Sequence, residues 1–190
     1  VAFWVYSEIT AADGTTGRGY RVYNLYQTAD DLTRSTLVTD DPADFLAGAH
    51  RLEVGVVVPD PRLQQTLLET IASPTREDLH NPRYAVLANP ADPRFQNCTE
   101  HTLLLIMSAL YGTDDPARLY ANVAAHFAPQ PVELGGLRRT FAPIASGALV
   151  TSDHGAEVAT ATFGSIARFM DRYDLSQHTY RLTPAGAQTH

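Results

Sequence analysis

With 190 residues, 20.7 kDa, 44% hydrophobic and 18% charged content, the chain has the size and composition of one globular domain without a low-complexity tract. Its longest apolar runs, 54–58 and 103–107, are too short to cross a bilayer, so no transmembrane segment is expected. All 14 basic residues are arginine, against 21 acidic ones and a net charge of −7. The absence of lysine excludes a Schiff base, a lysine nucleophile and a Walker-type phosphate lysine, and the acidic balance without a basic stripe argues against nucleic acid as a partner.

Residues 1–6 are apolar and β-prone, and 20–26 alternate in the same way, with the glycine-rich, hairpin-like stretch 12–19 between them. An antiparallel pair is expected. Asp40-Asp41-Pro42 opens a short helical turn through Phe45 and Leu46 that stops near Gly48. A third strand is read over 51–58, ended by Pro59. Pro61 then begins a helix to about Ala72, with Leu63, Leu67, Leu68 and Ile71 on one face. Residues 81–95 are a Pro- and Asn-rich loop with an extended piece at 84–87. The strongest helix, 99–111, ends at Gly112, and Asp114-Asp115-Pro116 starts another over 117–127. Residues 129–148 read as loop, 157–162 as strand, 165–173 as helix and 178–182 as a last strand. The expected fold class is α+β: a single domain over 1–190, with a small antiparallel sheet packed with helices.

Chemistry concentrates at Phe95-Gln96-Asn97-Cys98-Thr99-Glu100-His101. The only cysteine, Cys98, forbids an internal disulfide and any multi-cysteine metal site. It stands at a helix start, where backbone N–H groups and the macrodipole favour an anion, the position a thiolate nucleophile needs. The neighbouring backbone N–H groups are expected to hold the oxyanion of a tetrahedral intermediate. A small buried hydrophobe is the plainer alternative for a lone cysteine. Asn97 and His101 are read as supporting residues, His101 lying three positions on and beside the thiol. His154, in Ser152-Asp153-His154-Gly155, is the histidine that could serve as base, with Asp153 and Glu157 to raise its basicity; a loop residue capping the next segment is the alternative. No metal site is expected, because the Asp pairs stand at helix starts and no ligand spacing follows them, and neither glycine cluster has phosphate-loop spacing, so no cofactor is expected either. The arginines of the 135–139 cluster could meet a carboxylate or phosphate, solvation being the simpler reading.

Asn97-Cys98-Thr99-Glu100-His101 resembles the cysteine motif of permuted papain-like proteins, a group that includes the lecithin:retinol acyltransferase family. More closely, Tyr23-Asn24-Leu25-Tyr26-Gln27, Phe95-Gln96-Asn97-Cys98 and Thr151-Ser152-Asp153-His154-Gly155-Ala156-Glu157 resemble domain of unknown function 2145, an uncharacterised bacterial family of small exported proteins. The papain-like resemblance implies a histidine base on the first strand, a polar residue on the next strand that orients it, and a cysteine opening a later helix. Val1-Ala2-Phe3-Trp4 is similar to the residues that follow that histidine, which places the base immediately before Val1 and implies that the extreme N-terminus lies outside this sequence. Asn24 matches the orienting residue. The resemblance implies a periplasmic or extracellular protein acting on cell-envelope peptide or lipid.

Two functions follow as expectations: a thiol hydrolase or acyltransferase working through Cys98, Asn24 and a histidine, or a non-catalytic subunit that binds a protein partner. The second rests on nine tyrosines, of which Tyr20 and Tyr26 share one strand face and Tyr23 takes the other.

Overall fold

The computed structural model describes residues 1–10, 13–133 and 150–189. Two antiparallel strands, β1 (Phe3–Thr10) and β2 (Thr16–Gln27), pair from Phe3 opposite Tyr23 to Thr10 opposite Thr16. The hairpin therefore runs further into the glycine-rich stretch than alternation indicated. Strand β3 (Ser35–Asp40) adds to the other side of β2, giving the order β1-β2-β3. This strand escaped the sequence reading, because Ser35-Thr36-Leu37-Val38-Thr39-Asp40 is short and only weakly alternating. Helix α1 (Pro42–Leu46) follows, and its Phe45 meets the Trp4 ring edge-on at 6.1 Å.

The strand read over 51–58 is β4 (Val54–Pro59), and it belongs to a different sheet. It pairs with β7 (Ser176–Thr183), which in turn pairs with β8 (Gly186–Thr189). A β-carbon at Gly55 of β4 would collide with the Phe163 ring, so glycine is what lets the sheet lie against the helix that starts there. Two short strands, β5 (Gln130–Pro131) and β6 (Ala159–Thr160), make a third, two-stranded ladder. Most of the loop expected over 129–148, including the 135–139 cluster, lies outside the described residues.

The remaining helices are α2 (Pro61–Ala72), α3 (Thr75–Asp78), α4 (Cys98–Tyr111), α5 (Pro116–His126) and α6 (Phe163–Arg172). Local chemistry sets their ends. The Asp60 and Asp115 side chains accept from the first backbone N–H groups of α2 and α5, and Gly112 takes the left-handed conformation (φ 60°) that stops α4. Helix α4 is the centre of the core. Every residue from Thr99 to Ser108 is buried, which explains why 103–107 runs apolar on every side of the helix rather than on one face. Leu63 and Leu67 of α2, Leu119 and Val123 of α5, and Ile166, Phe169 and Met170 of α6 close around it, and Phe3 of β1 packs against the same cluster. The architecture is α+β, with helices and small antiparallel sheets. Among the described residues no helix is long and apolar enough to cross a membrane.

Candidate active site

Cys98 is the first residue of α4 and is half-buried. Asn97 caps the helix: its Oδ1 accepts from Thr99 N at 3.0 Å and Glu100 N at 2.9 Å. The other end of the same amide donates to the Val86 carbonyl at 3.1 Å and to Thr160 Oγ1 at 3.3 Å, and Thr160 donates to the Ala88 carbonyl at 2.9 Å. Gln96, fully buried, accepts from Asn81 N at 3.0 Å and donates to the Leu79 carbonyl at 2.9 Å. The two side chains before the cysteine thus tie the start of α4 to the 79–88 segment and to β6.

The cap alters the expected oxyanion site. Two of the N–H groups that were to hold the oxyanion are occupied by Asn97, and within the first turn of α4 the Cys98 N–H is the one with no acceptor among the described residues. A reacting carbonyl would have that single backbone donor and would need a second from elsewhere.

Around the thiol, the backbone nitrogen of Val1 approaches Sγ at 3.6 Å and Thr99 Oγ1 at 3.8 Å. The residues leading into β1 therefore reach Cys98. Tyr84 is close as well: burial chiefly, and then the Cys98 charge, push its phenol up to about 12. Tyr84 had no signal in the sequence. It reaches this place because its backbone bridges to Gln96, one residue before the cap.

The other expected site residues sit as follows. The His101 ring donates from Nε2 to the Arg76 carbonyl at 2.9 Å, on the α3 side of the helix, and meets His80 edge-on. Burial, with smaller contributions from His80 and Arg76, brings its pKa down to about 4, so it is neutral at ordinary pH. His154 has both ring nitrogens engaged. Nε2 donates to the Leu87 carbonyl at 2.7 Å and Nδ1 accepts from Ala159 N at 3.4 Å, which defines the tautomer. Asp153 Oδ1 is 3.6 Å from Nε2, beyond a hydrogen bond, while Glu157 is exposed. Among the described residues no hydrogen bond joins His154 to Cys98. Asn24, buried on β2, leaves its Oδ1 without a donor.

Glu100 and Asp153 are both buried, which their sequence positions did not indicate. Glu100 is fully buried; its Oε1 accepts from Tyr120 at 2.8 Å and its Oε2 has no partner. Burial raises its pKa well above the ordinary carboxylic value, with Asp153 and Asp92 adding to the effect against the Tyr120 bond. Asp153 accepts from Asn89 N at 2.8 Å through Oδ2, and Asn89 returns a bond to the Asp153 carbonyl at 2.9 Å. Among the described residues no three His, Cys, Asp or Glu side chains gather as metal ligands would.

No curated protein and no solved structure matches the chain. A family model does, over residues 1–170. The chain belongs to the uncharacterised proteins conserved in bacteria known as DUF2145.

Proposed function

We propose that this domain is a cysteine hydrolase or acyltransferase of permuted papain-like architecture, acting on an amide or ester. The observation that carries the reading is the convergence on one half-buried thiol of a helix start with a free N–H and of Val1, two residues ahead of the first strand, its nitrogen 3.6 Å from Sγ. Asn24 supplies independent support. Continuing the β1–β2 register, in which Trp4 lies opposite Val22, would put a residue joined to the Val1 nitrogen on the same sheet face as Asn24 and diagonal to it. A histidine there would bring an imidazole to the thiol and an N–H to the unpartnered Asn24 Oδ1.

In the reaction, the Sγ–carbon bond forms as the carbonyl carbon becomes tetrahedral, and the thiol proton passes through the imidazole to the leaving amine or alcohol as its bond to carbon breaks. Water, or a second alcohol or amine, then cleaves the thioester. The substrate is a cell-envelope peptide or lipid, and the setting is periplasmic or extracellular. The test compares chains with histidine or alanine joined to Val1, each with Cys98 or Cys98→Ala, using p-nitrophenyl acetate as the acyl donor. The histidine chain is expected to acetylate Cys98 roughly a hundredfold faster than the alanine chain, and Cys98→Ala is expected to form no adduct. Equal rates with histidine and alanine, or undiminished turnover in Cys98→Ala, would contradict the reading.

A second reading, a protein-binding subunit without catalysis, is favoured by the aromatic face of the first sheet. The Tyr6 and Tyr20 rings meet at a tilt, 5.1 Å between centroids, and are 52% and 49% exposed, with Tyr26 exposed on the same face.

A further inference from the structure

We infer that Arg34 and Arg83 form an oxyanion-binding site separate from Cys98. The two arginines face each other across an isolated antiparallel bridge, Arg34 opposite Arg83, just ahead of β3. Flanking bonds fix that register: Ser35 N donates to the Pro82 carbonyl at 3.0 Å and Tyr84 N to the Thr33 carbonyl at 2.7 Å. Directly opposed residues of an antiparallel pair project from the same face, and like charges there repel. An acidic protein with 21 carboxylic side chains and no lysine has every opportunity to place an acid between them. It does not. Among the described residues neither Arg34 nor Arg83 has a carboxylate within ion-pair distance; Arg18, Arg51, Arg62, Arg168 and Arg172 share that lack, but none of them stands opposite a second arginine in a strand pair. The residues outside the described set contain no Asp or Glu. Asp31, the acid that feels Arg34, has its Oδ1 taken by Thr33 N and Oγ1.

The pair is also partly preorganised. The Arg83 guanidinium lies over the Phe95 ring, 4.8 Å from its centroid, and stacking of this kind holds the plane while leaving the N–H edges free. His80, close enough for Arg34 to help lower its pKa, does not compete as a third cation; burial is the main cause and Arg76 contributes too. Alternation along the segment puts Arg83 on the face opposite to Tyr84, so an anion held here would be away from the thiol. The ligand class is a phosphate or carboxylate group, whose paired oxygens match the guanidinium fork bidentately as a monovalent halide cannot.

The test is thermal unfolding of the native chain and of Arg34→Gln and Arg83→Gln, in inorganic phosphate, succinate or sodium chloride at matched ionic strength. Phosphate or succinate is expected to raise the native Tm by about 2–4 °C over chloride, and each variant is expected to lose most of that rise. The larger shift, with phosphate or with succinate, identifies the group. In chloride alone Arg34→Gln is expected to unfold no lower than the native chain, because removing one charge relieves the repulsion, whereas Arg83→Gln also loses the contact with Phe95. Identical Tm values in all three salts, or an anion-specific rise that survives in both variants, would overturn the proposal.

Discussion

Replacing Asn97 by alanine is expected to cost about 3 kcal/mol of stability and to lower Tm by roughly 10 °C. The size of the effect comes from the double use of one buried amide. Its oxygen satisfies Thr99 N and Glu100 N at the head of the central helix, and its nitrogen satisfies the Val86 carbonyl and Thr160 Oγ1. An N-cap alone contributes about 1 kcal/mol, and stranding buried polar partners adds a further penalty of about 1–3 kcal/mol. Asn97→Ser keeps a capping oxygen but cannot span to Val86, so denaturant unfolding should place it between alanine and the native residue. A loss under about 1 kcal/mol for alanine would show that the bridge to the 79–88 segment contributes nothing.

Between about pH 4.5 and 6.5 two buried groups in the first turn of α4 are expected to pull stability in opposite directions. His101 has a folded pKa of about 4 against an ordinary 6.5, so its contribution is complete above 6.5 and is lost as pH falls toward 4. Burial and the neighbouring arginines depress His80 as well, and it acts in the same direction. Glu100 is raised well above 4.5, so its contribution is complete below 4.5 and is lost as pH rises. The His101 slope approaches about 1.4 kcal/mol per pH unit inside the window. Urea unfolding from about pH 4.5 to 6.5 is therefore expected to show stability rising more steeply with pH in Glu100→Gln than in the native chain, and less steeply in His101→Gln. Parallel profiles for the native chain and both variants would refute the assignment.

The sequence made the helices plain wherever their ends carried chemistry of their own: Asp60-Pro61, Asp115-Pro116 and Gly112 mark boundaries that the structure reproduces closely. Sheets were harder, because pairing is decided at a distance. Residues 51–58 read as a third strand, yet the strand found there, Val54–Pro59, pairs with Ser176–Thr183, while the true third strand, equally short, is only weakly alternating. At the site, Cys98 at a helix start and Asn97 before it could be read from position. Their surroundings could not. That Asn97 takes the Thr99 and Glu100 N–H groups, that His154 is held by Leu87 and Ala159, and that Val1 reaches Sγ are all consequences of long-range packing. Glu100 shows the limit most clearly: a polar residue at a first turn ordinarily faces water, and here the α5 tyrosine covers it.

The most direct test is the rate at which native Cys98 is alkylated by iodoacetamide at about pH 6.5, well below the free-thiol value of about 8.5. A nucleophile at the head of α4 should react in the folded protein at least as fast as free cysteine, and several-fold faster than Cys98 in the Asn97→Ala variant. A thiol that is modified only after denaturation would contradict the catalytic reading and leave the exposed tyrosine face as the functional surface.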